Sequence, residues 1–155
     1  MEIYNTSIEE HNQKLDGDIL ITSKHTEDEY TFICENLIKH NIEATNGLLK
    51  KPGADIAYFL KSEENVIGAV LCDTYNLCLY IDVMWIDKAY RGKGYGKELI
   101  FRAEKTAKEK GCIFSHTCTF NYQSPEFYTS CGYGIFAELS DYPDGIVQYF
   151  LKKKL

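Results

Sequence analysis

Between Leu77 and Lys110 the chain reads as an apolar strand, a short loop crowded with glycine, and a helix. The loop is Arg91-Gly92-Lys93-Gly94-Tyr95-Gly96-Lys97, with glycine at alternate positions. Glycine carries no Cβ, so the backbone N–H groups of such a loop can approach a ligand closely. The helix behind it adds unsatisfied N–H groups and a partial positive charge at its first turn. Together these features make an anion site, and phosphate or pyrophosphate is the expected anion.

Two nucleotide loops fail on residues that their mechanisms require. A dinucleotide fingerprint counted from Gly92 puts Lys97 at its third glycine, and counted from Gly94 it puts Leu99 there. A Walker A loop ending at Gly96-Lys97 has Arg91 at its first glycine and Glu98 after the lysine. What remains is Arg-x-x-Gly-x-Gly between a strand and a helix, which resembles the signature with which the GNAT acetyltransferase superfamily grips the pyrophosphate of acetyl-CoA. A second stretch resembles the other signature of that family: Asn121-Tyr122-Gln123-Ser124-Pro125-Glu126-Phe127-Tyr128, running on to Gly132-Tyr133. The order, separation and intervening helix also match. The resemblance covers residues 55–150, and the first fifty residues share only the layout. The ending, Asp141-Tyr142-Pro143-Asp144-Gly145 and Tyr149 to Lys154, resembles a group of small bacterial GNAT proteins.

A chain of 155 residues suits one domain, 1–155, with one core. Its 45% hydrophobic and 14% aromatic content is that of a folded protein. A net charge of −6 argues against nucleic acid as a partner, because counterion release needs a basic surface. Lys88, Arg91, Lys93 and Lys97 nevertheless cluster at the glycine loop, a spot sized for a phosphorylated small molecule. A merely solvated lysine face is the alternative. The six cysteines form no C-x-x-C pair and have no histidine at ligand spacing, so neither a disulfide framework nor a metal site is expected. With no signal peptide and no apolar run of membrane length, the expected location is the cytoplasm, away from membranes.

In chain order, short strands are expected near Ile3 and at Asp18–Thr22, and a capping box of Thr26 and Glu29 opens a helix. Its apolar face, Tyr30, Ile33, Cys34, Leu37 and Ile38, should lie against a sheet. After a turn at Pro52-Gly53, strands at Ile56–Leu60 and Val66–Leu71 form a hairpin, and a third from Leu77 to Ile86 continues the meander. Strict alternation puts Leu77, Leu79, Ile81, Val83 and Trp85 on the core face of that third strand. Tyr80, Asp82, Met84 and Ile86 fall opposite. A helix over Tyr95–Lys110, a strand over Cys112–Thr119, a short helix to Cys131 and strands at Tyr133–Leu139 and Ile146–Lys152 complete the chain. The fold class is α/β (α+β), GNAT-like, with a mixed, mostly antiparallel sheet flanked by helices.

The resemblance implies an acetyl-CoA-dependent N-acetyltransferase working by direct transfer in a ternary complex. The acceptor is a small amine or a peptide amine, and the protein a monomer or homodimer. Gly92, Lys93, Gly94, Tyr95, Gly96 and Lys97 would bind pyrophosphate, framed by Arg91. Met84, Trp85 and Ile86 would pair with the pantetheine arm, and Asn121 would hydrogen-bond it. By its place in the second signature Tyr128 matches the family's general acid toward the CoA sulfur, and a phenol, which titrates at ~10, above a thiol at ~8.5, is a plausible donor. The base stays open between His116, Asp82 and a water relay. The other function class is a non-catalytic acyl-CoA sensor on the same fold.

Overall fold

The computed structural model describes residues 12–15, 17–49 and 53–155. The chain divides into two compact units, Met1–Leu48 and Leu49–Leu155. The strand expected near Ile3 and Pro52 of the expected turn lie outside the described residues. Among the described residues no helix is long and apolar enough to cross a membrane.

The first unit pairs β1 (Asn12–Lys14) antiparallel with β2 (Leu20–Thr22), then enters α1 (Glu27–Ala44). The capping box forms as expected. Thr26 Oγ1 accepts from Glu29 N at 3.2 Å, and the Glu29 carboxylate accepts from Thr26 N at 2.7 Å. That backbone bond, ahead of the one to the Thr26 hydroxyl, holds the Glu29 carboxyl below its ordinary value. Among the described residues of this unit, none covers the face of α1 expected to lie on a sheet. Tyr30, Ile33, Leu37 and Ile38 are exposed, and no residue of the helix is buried.

The second unit holds β3 (Ala54–Ser62), β4 (Asn65–Tyr75), β5 (Cys78–Ile86), α2 (Tyr95–Glu109), β6 (Phe114–Phe120), α3 (Pro125–Ser130), β7 (Gly134–Leu139) and β8 (Gln148–Lys154). The strands form one sheet in the order β3-β4-β5-β6-β8-β7, antiparallel throughout except for the β5–β6 pair. This is the mixed, mostly antiparallel architecture expected. The helix α2 lays Leu99, Ile100, Ala103 and Ala107, the face its periodicity marks, on a core with Ile56, Val70, Cys72, Leu79, Ile81 and Leu151. It ends as a Schellman motif: Gly111 takes φ +91°, and Cys112 N donates to Ala107 O at 2.9 Å.

The alternation expected of β5 fails halfway. Leu71 pairs with Val83 and Cys72 with Ile81, so Asp82 is the extra residue of a β-bulge. Up to Ile81 the expected phase holds, with Leu79 and Ile81 buried. Past Asp82 it inverts. Met84 stands opposite Val70 and Ile86 opposite Gly68, and both pack on the core. Val83 and Trp85 are instead 41% and 48% exposed. Leu77 leaves the strand altogether and forms, with Asn76, the two-residue turn between β4 and β5, at φ +66° and +46° respectively.

One buried polar network crosses the unit. The Tyr133 hydroxyl donates to Glu104 Oε1 at 2.9 Å and lies 2.8 Å from Ser115 Oγ. Lys153 Nζ reaches both Glu104 oxygens, at 2.8 and 2.7 Å. It thereby joins α2, β6, β8 and the end of α3. Lys153→Ala should lower the unfolding free energy by about 2–3 kcal/mol, since it strands a mostly buried carboxylate whose cation was partly solvated. Urea unfolding at pH 7 reads this. A loss below about 0.5 kcal/mol, the range of ordinary surface substitutions, would show that water serves Glu104 as well as Lys153 does.

Candidate functional site

The parallel ladder between β5 and β6 runs from Cys78–Phe114 to Ile81–Thr117 and stops. Both strands continue, β5 to Ile86 and β6 to Phe120. Since β6 stays paired with β8 as far as Phe120–Gln148, it is β5 that turns away, at the Asp82 bulge. The Thr117 hydroxyl closes the apex by donating to Ile81 O at 2.9 Å. Beyond the apex, among the described residues, the β6-facing backbone of Asp82–Ile86 has no ladder partner. An extended chain entering that gap can therefore pair with β5 as an added strand.

The glycine loop stands at the same end. Asp87 caps a 3-10 turn over Lys88–Tyr90, and Arg91 Nε donates to Ile86 O at 2.8 Å, tying the loop to the strand end. Gly92 and Gly94 take φ of +76° and +84°, a left-handed backbone that favours glycine. A Cβ at either would meet nothing within 4 Å, so the loop faces open space. The first helical bond is Glu98 N to Gly94 O at 3.2 Å, which leaves the N–H groups of Tyr95, Gly96 and Lys97 without intrahelical acceptors. Gly96 is required for another reason. A Cβ there would lie 2.9 Å from Phe127 Cε2 and 3.1 Å from Met84 Cε, so glycine lets α3 and β5 close on the first turn of α2.

Tyr128 follows Phe127 on α3 and is 7% exposed. Burial pushes its phenol up, partly offset by a hydrogen bond with the Thr117 side chain at the apex. Tyr80 lies on the other sheet face, its hydroxyl 3.7 Å from Cys118 Sγ. That bond first, then burial, pushes the Tyr80 phenol up to about 12. His116 pairs with Tyr80 across the ladder, the ring centroids 4.9 Å apart, and burial lowers its pKa. Asp82 is exposed at the bulge, and the expectation that it shares a face with Met84 falls with the phase inversion. Asp55 and Asp73 face each other across β3 and β4. Burial, then the neighbouring Asp55 and Asp82 carboxylates, raises Asp73. The Asn121 carboxamide donates to Gly145 O at 3.0 Å, which ties the loop after β6 to the loop before β8.

The structure therefore brings together the loop residues Arg91–Lys97, the backbone of Met84, Trp85 and Ile86, and Tyr128 near the apex. It sets His116 on the opposite sheet face, with Tyr80 and Cys118. Those last two were not singled out from the sequence, where each is one tyrosine or cysteine among many. Their signal is their place beside the ladder's last rung, which requires the register. Among the described residues no cluster of acids, cysteines and histidines could hold a metal ion.

A model of the acetyltransferase (GNAT) family matches residues 15–133. Blasticidin-S acetyltransferase of Streptomyces morookaense is 45% identical over 78 residues, 50% of this chain and 57% of that protein, so the match spans little more than half of the relative. The crystal structure of an acetyltransferase from Bacillus cereus aligns with a TM-score of 0.75 at 34% identity, over 86% of this chain and 96% of that one. A Bacillus anthracis protein described as a streptothricin acetyltransferase, in complex with acetyl coenzyme A, aligns with a TM-score of 0.60 at 26% identity, over 71% and 67%.

The depressed His116 pKa has a measurable sign. The unfolded chain titrates near ~6.5. As pH falls from there it binds the proton before the folded ring does, so His116 withdraws stability until the folded ring also protonates. An NMR titration should place the His116 midpoint below ~6.5. A midpoint at or above that value would mean a solvated or ion-paired ring.

Proposed function

The chain belongs to the acetyltransferase (GNAT) family, and from that premise we propose that it is an acetyl-CoA-dependent N-acetyltransferase acting on a primary amine by direct transfer. The observation that carries this reading is the parting of β5 and β6 beside an open glycine loop at a helix N-terminus. Bound acetyl-CoA supplies the acetyl group as an activated thioester. The N–H groups of Gly92 to Lys97 hold its pyrophosphate, with Arg91 bracing the loop from Ile86. The edge of Met84, Trp85 and Ile86 that β6 leaves unpaired pairs with the pantetheine arm, and an N–H there polarises the thioester carbonyl. The Asn121 carboxamide, held by its bond to Gly145 O, has a second N–H proton and an oxygen with which to hydrogen-bond that arm.

Tyr128 donates a proton to the departing sulfur. A phenol raised by burial is fully protonated at neutral pH and so has a proton to give; its transfer to a thiolate of ~8.5 is uphill and is drawn by the charge that develops on the sulfur as the C–S bond breaks. His116, kept neutral by its burial, takes the proton from the acceptor ammonium, directly or through water. Asp55, Asp73 and Asp82 give this part of the sheet a negative field that draws in a cation. The relatives named for blasticidin S and streptothricin make those two compounds the first acceptors to try.

Acetyl-CoA at ~100 times its dissociation constant should add roughly 2.7 kcal/mol and raise the melting midpoint by several degrees, with ATP and NAD inert. CoA release should then depend on added amine. Tyr128→Phe should lower kcat about 10²-fold, with acetyl-CoA affinity unchanged within about threefold. Absence of the acetyl-CoA shift would refute the cofactor site, and an unchanged kcat would remove Tyr128 from the proton path.

A further inference from the structure

Phe120, Tyr122 and Tyr142 form an aromatic cluster where β6 ends, at the mouth of the gap left by β5. Phe120 closes β6 on the sheet face of His116 and Cys118, opposite the buried Thr117 and Thr119. Tyr122 stacks on it, centroids 5.3 Å apart and planes 10° apart, and Tyr142 meets it edge-on at 5.4 Å and 78°. The arrangement is held from behind. Tyr142 Oη donates to Gln148 Oε1 at 3.1 Å, and Phe120 N donates to Gln123 Oε1 at 3.1 Å. Asn121 joins the two loops through Val147 O at 2.9 Å and Gly145 O at 3.0 Å. Rings fixed in this way lose little freedom when a ligand arrives. Yet Tyr122 is 66% exposed, because only one face of its ring lies on Phe120.

Two observations say what the open face suits. Three other rings carry a lysine of their own: Lys93 over Tyr90, Lys152 over Phe136 and Lys153 over Tyr133, at 5.1 to 5.5 Å. Among the described residues no such cation covers Phe120, Tyr122 or Tyr142. The segments that carry these rings, 119–126 and 139–148, contain Glu126, Asp141 and Asp144 and no lysine, arginine or histidine. An uncovered π face whose own segments carry acids and no base attracts a cation, and a planar one can also stack.

We propose that Phe120, Tyr122 and Tyr142 form a specificity platform for a planar cation, a guanidinium or amidinium group, on an acceptor whose separate primary amine receives the acetyl group. The proposal rests on the acetyl-transfer reading above. It adds the second binding point of the acceptor, which the amine chemistry by itself does not require. The rings hold one end of the acceptor and leave the reacting amine to reach past Cys118 and Tyr80 toward the gap.

The probes are agmatine, which joins a guanidinium to a primary amine, and hexylamine, which keeps the amine on an apolar tail. With coenzyme A present, agmatine should shift the ring resonances of Phe120, Tyr122 and Tyr142, and hexylamine should do so much less. Tyr122→Ala should weaken agmatine about three- to fivefold, as expected for one exposed cation–π contact, while Tyr122→Phe stays within about twofold. Each variant is first shown to keep the acetyl-CoA melting shift. Tyr142→Ala serves in place of any variant that does not. Agmatine that leaves these rings unmoved, or binds Tyr122→Ala as tightly as the parent, overturns the platform. Loss of the acetyl-CoA shift in the parent protein overturns the acetyl-transfer reading instead, so the two failures are distinguishable.

Discussion

One extra residue in β5 organises the second unit. A regular strand would keep its hydrogen bonds to β4 on one edge and to β6 on the other, and the sheet would be closed. Asp82 breaks the count on the β4 side, the strand twists at the bulge, and its far half no longer follows β6. Since β8 holds β6 straight, the sheet opens on one side only. The Thr117–Ile81 bond sets where the opening begins. Everything that a ligand could use there, the free strand edge, the glycine loop and the Tyr128 phenol, depends on that single interruption.

Such an opening would weaken the sheet if nothing braced it. The core on the α2 side supplies the brace. Past the bulge it is Met84 and Ile86, not Val83 and Trp85, that reach this core, so the diverging half of β5 is still anchored. Gly96 allows Phe127 and Met84 to meet the first turn of α2 without a methyl between them. Deeper in, Glu104 on α2 is joined to Lys153 and Tyr133, which fixes the helix against β8 and the end of α3. Burial raises the Tyr133 phenol, as it does that of Tyr128, so both hydroxyls keep their protons at neutral pH. In one case the proton completes a structural bond, and in the other it stands beside the opening.

The two sheet faces are electrostatically unlike. Toward α2 the unit is apolar apart from satisfied hydroxyls and the Glu104–Lys153 pair. The other face carries Asp55, Asp73, Tyr80, His116 and Cys118, and the aromatic cluster follows at the end of β6. Lys88, Arg91, Lys93 and Lys97 gather at the glycine loop, while Lys152 stands opposite His116 on β8.

Local chemistry made much of this legible in the sequence. The glycine spacing, the Thr26–Glu29 box and the apolar stripe of α2 each follow from residue type at short range, and each appears in the structure. The motif residues Arg91–Lys97 and Tyr128 were likewise readable, because their types and order carry the signal. The phase of β5 was not. Leu, Val, Met, Ile and Trp are all apolar, so the run from Leu77 to Ile86 reads the same with or without a bulge, and only pairing with β4 and β6 decides which side chains face the core. Nor could sequence spacing bring Tyr80 to Cys118, or Tyr142 to Phe120, since those contacts join strands and loops distant along the chain. The sequence by itself determined the elements and the glycine loop, through forces that act within a few residues. The opening, and what stands around it, was decided by tertiary register, because a strand's hydrogen-bonding partners are set by its neighbours and not by its own side chains.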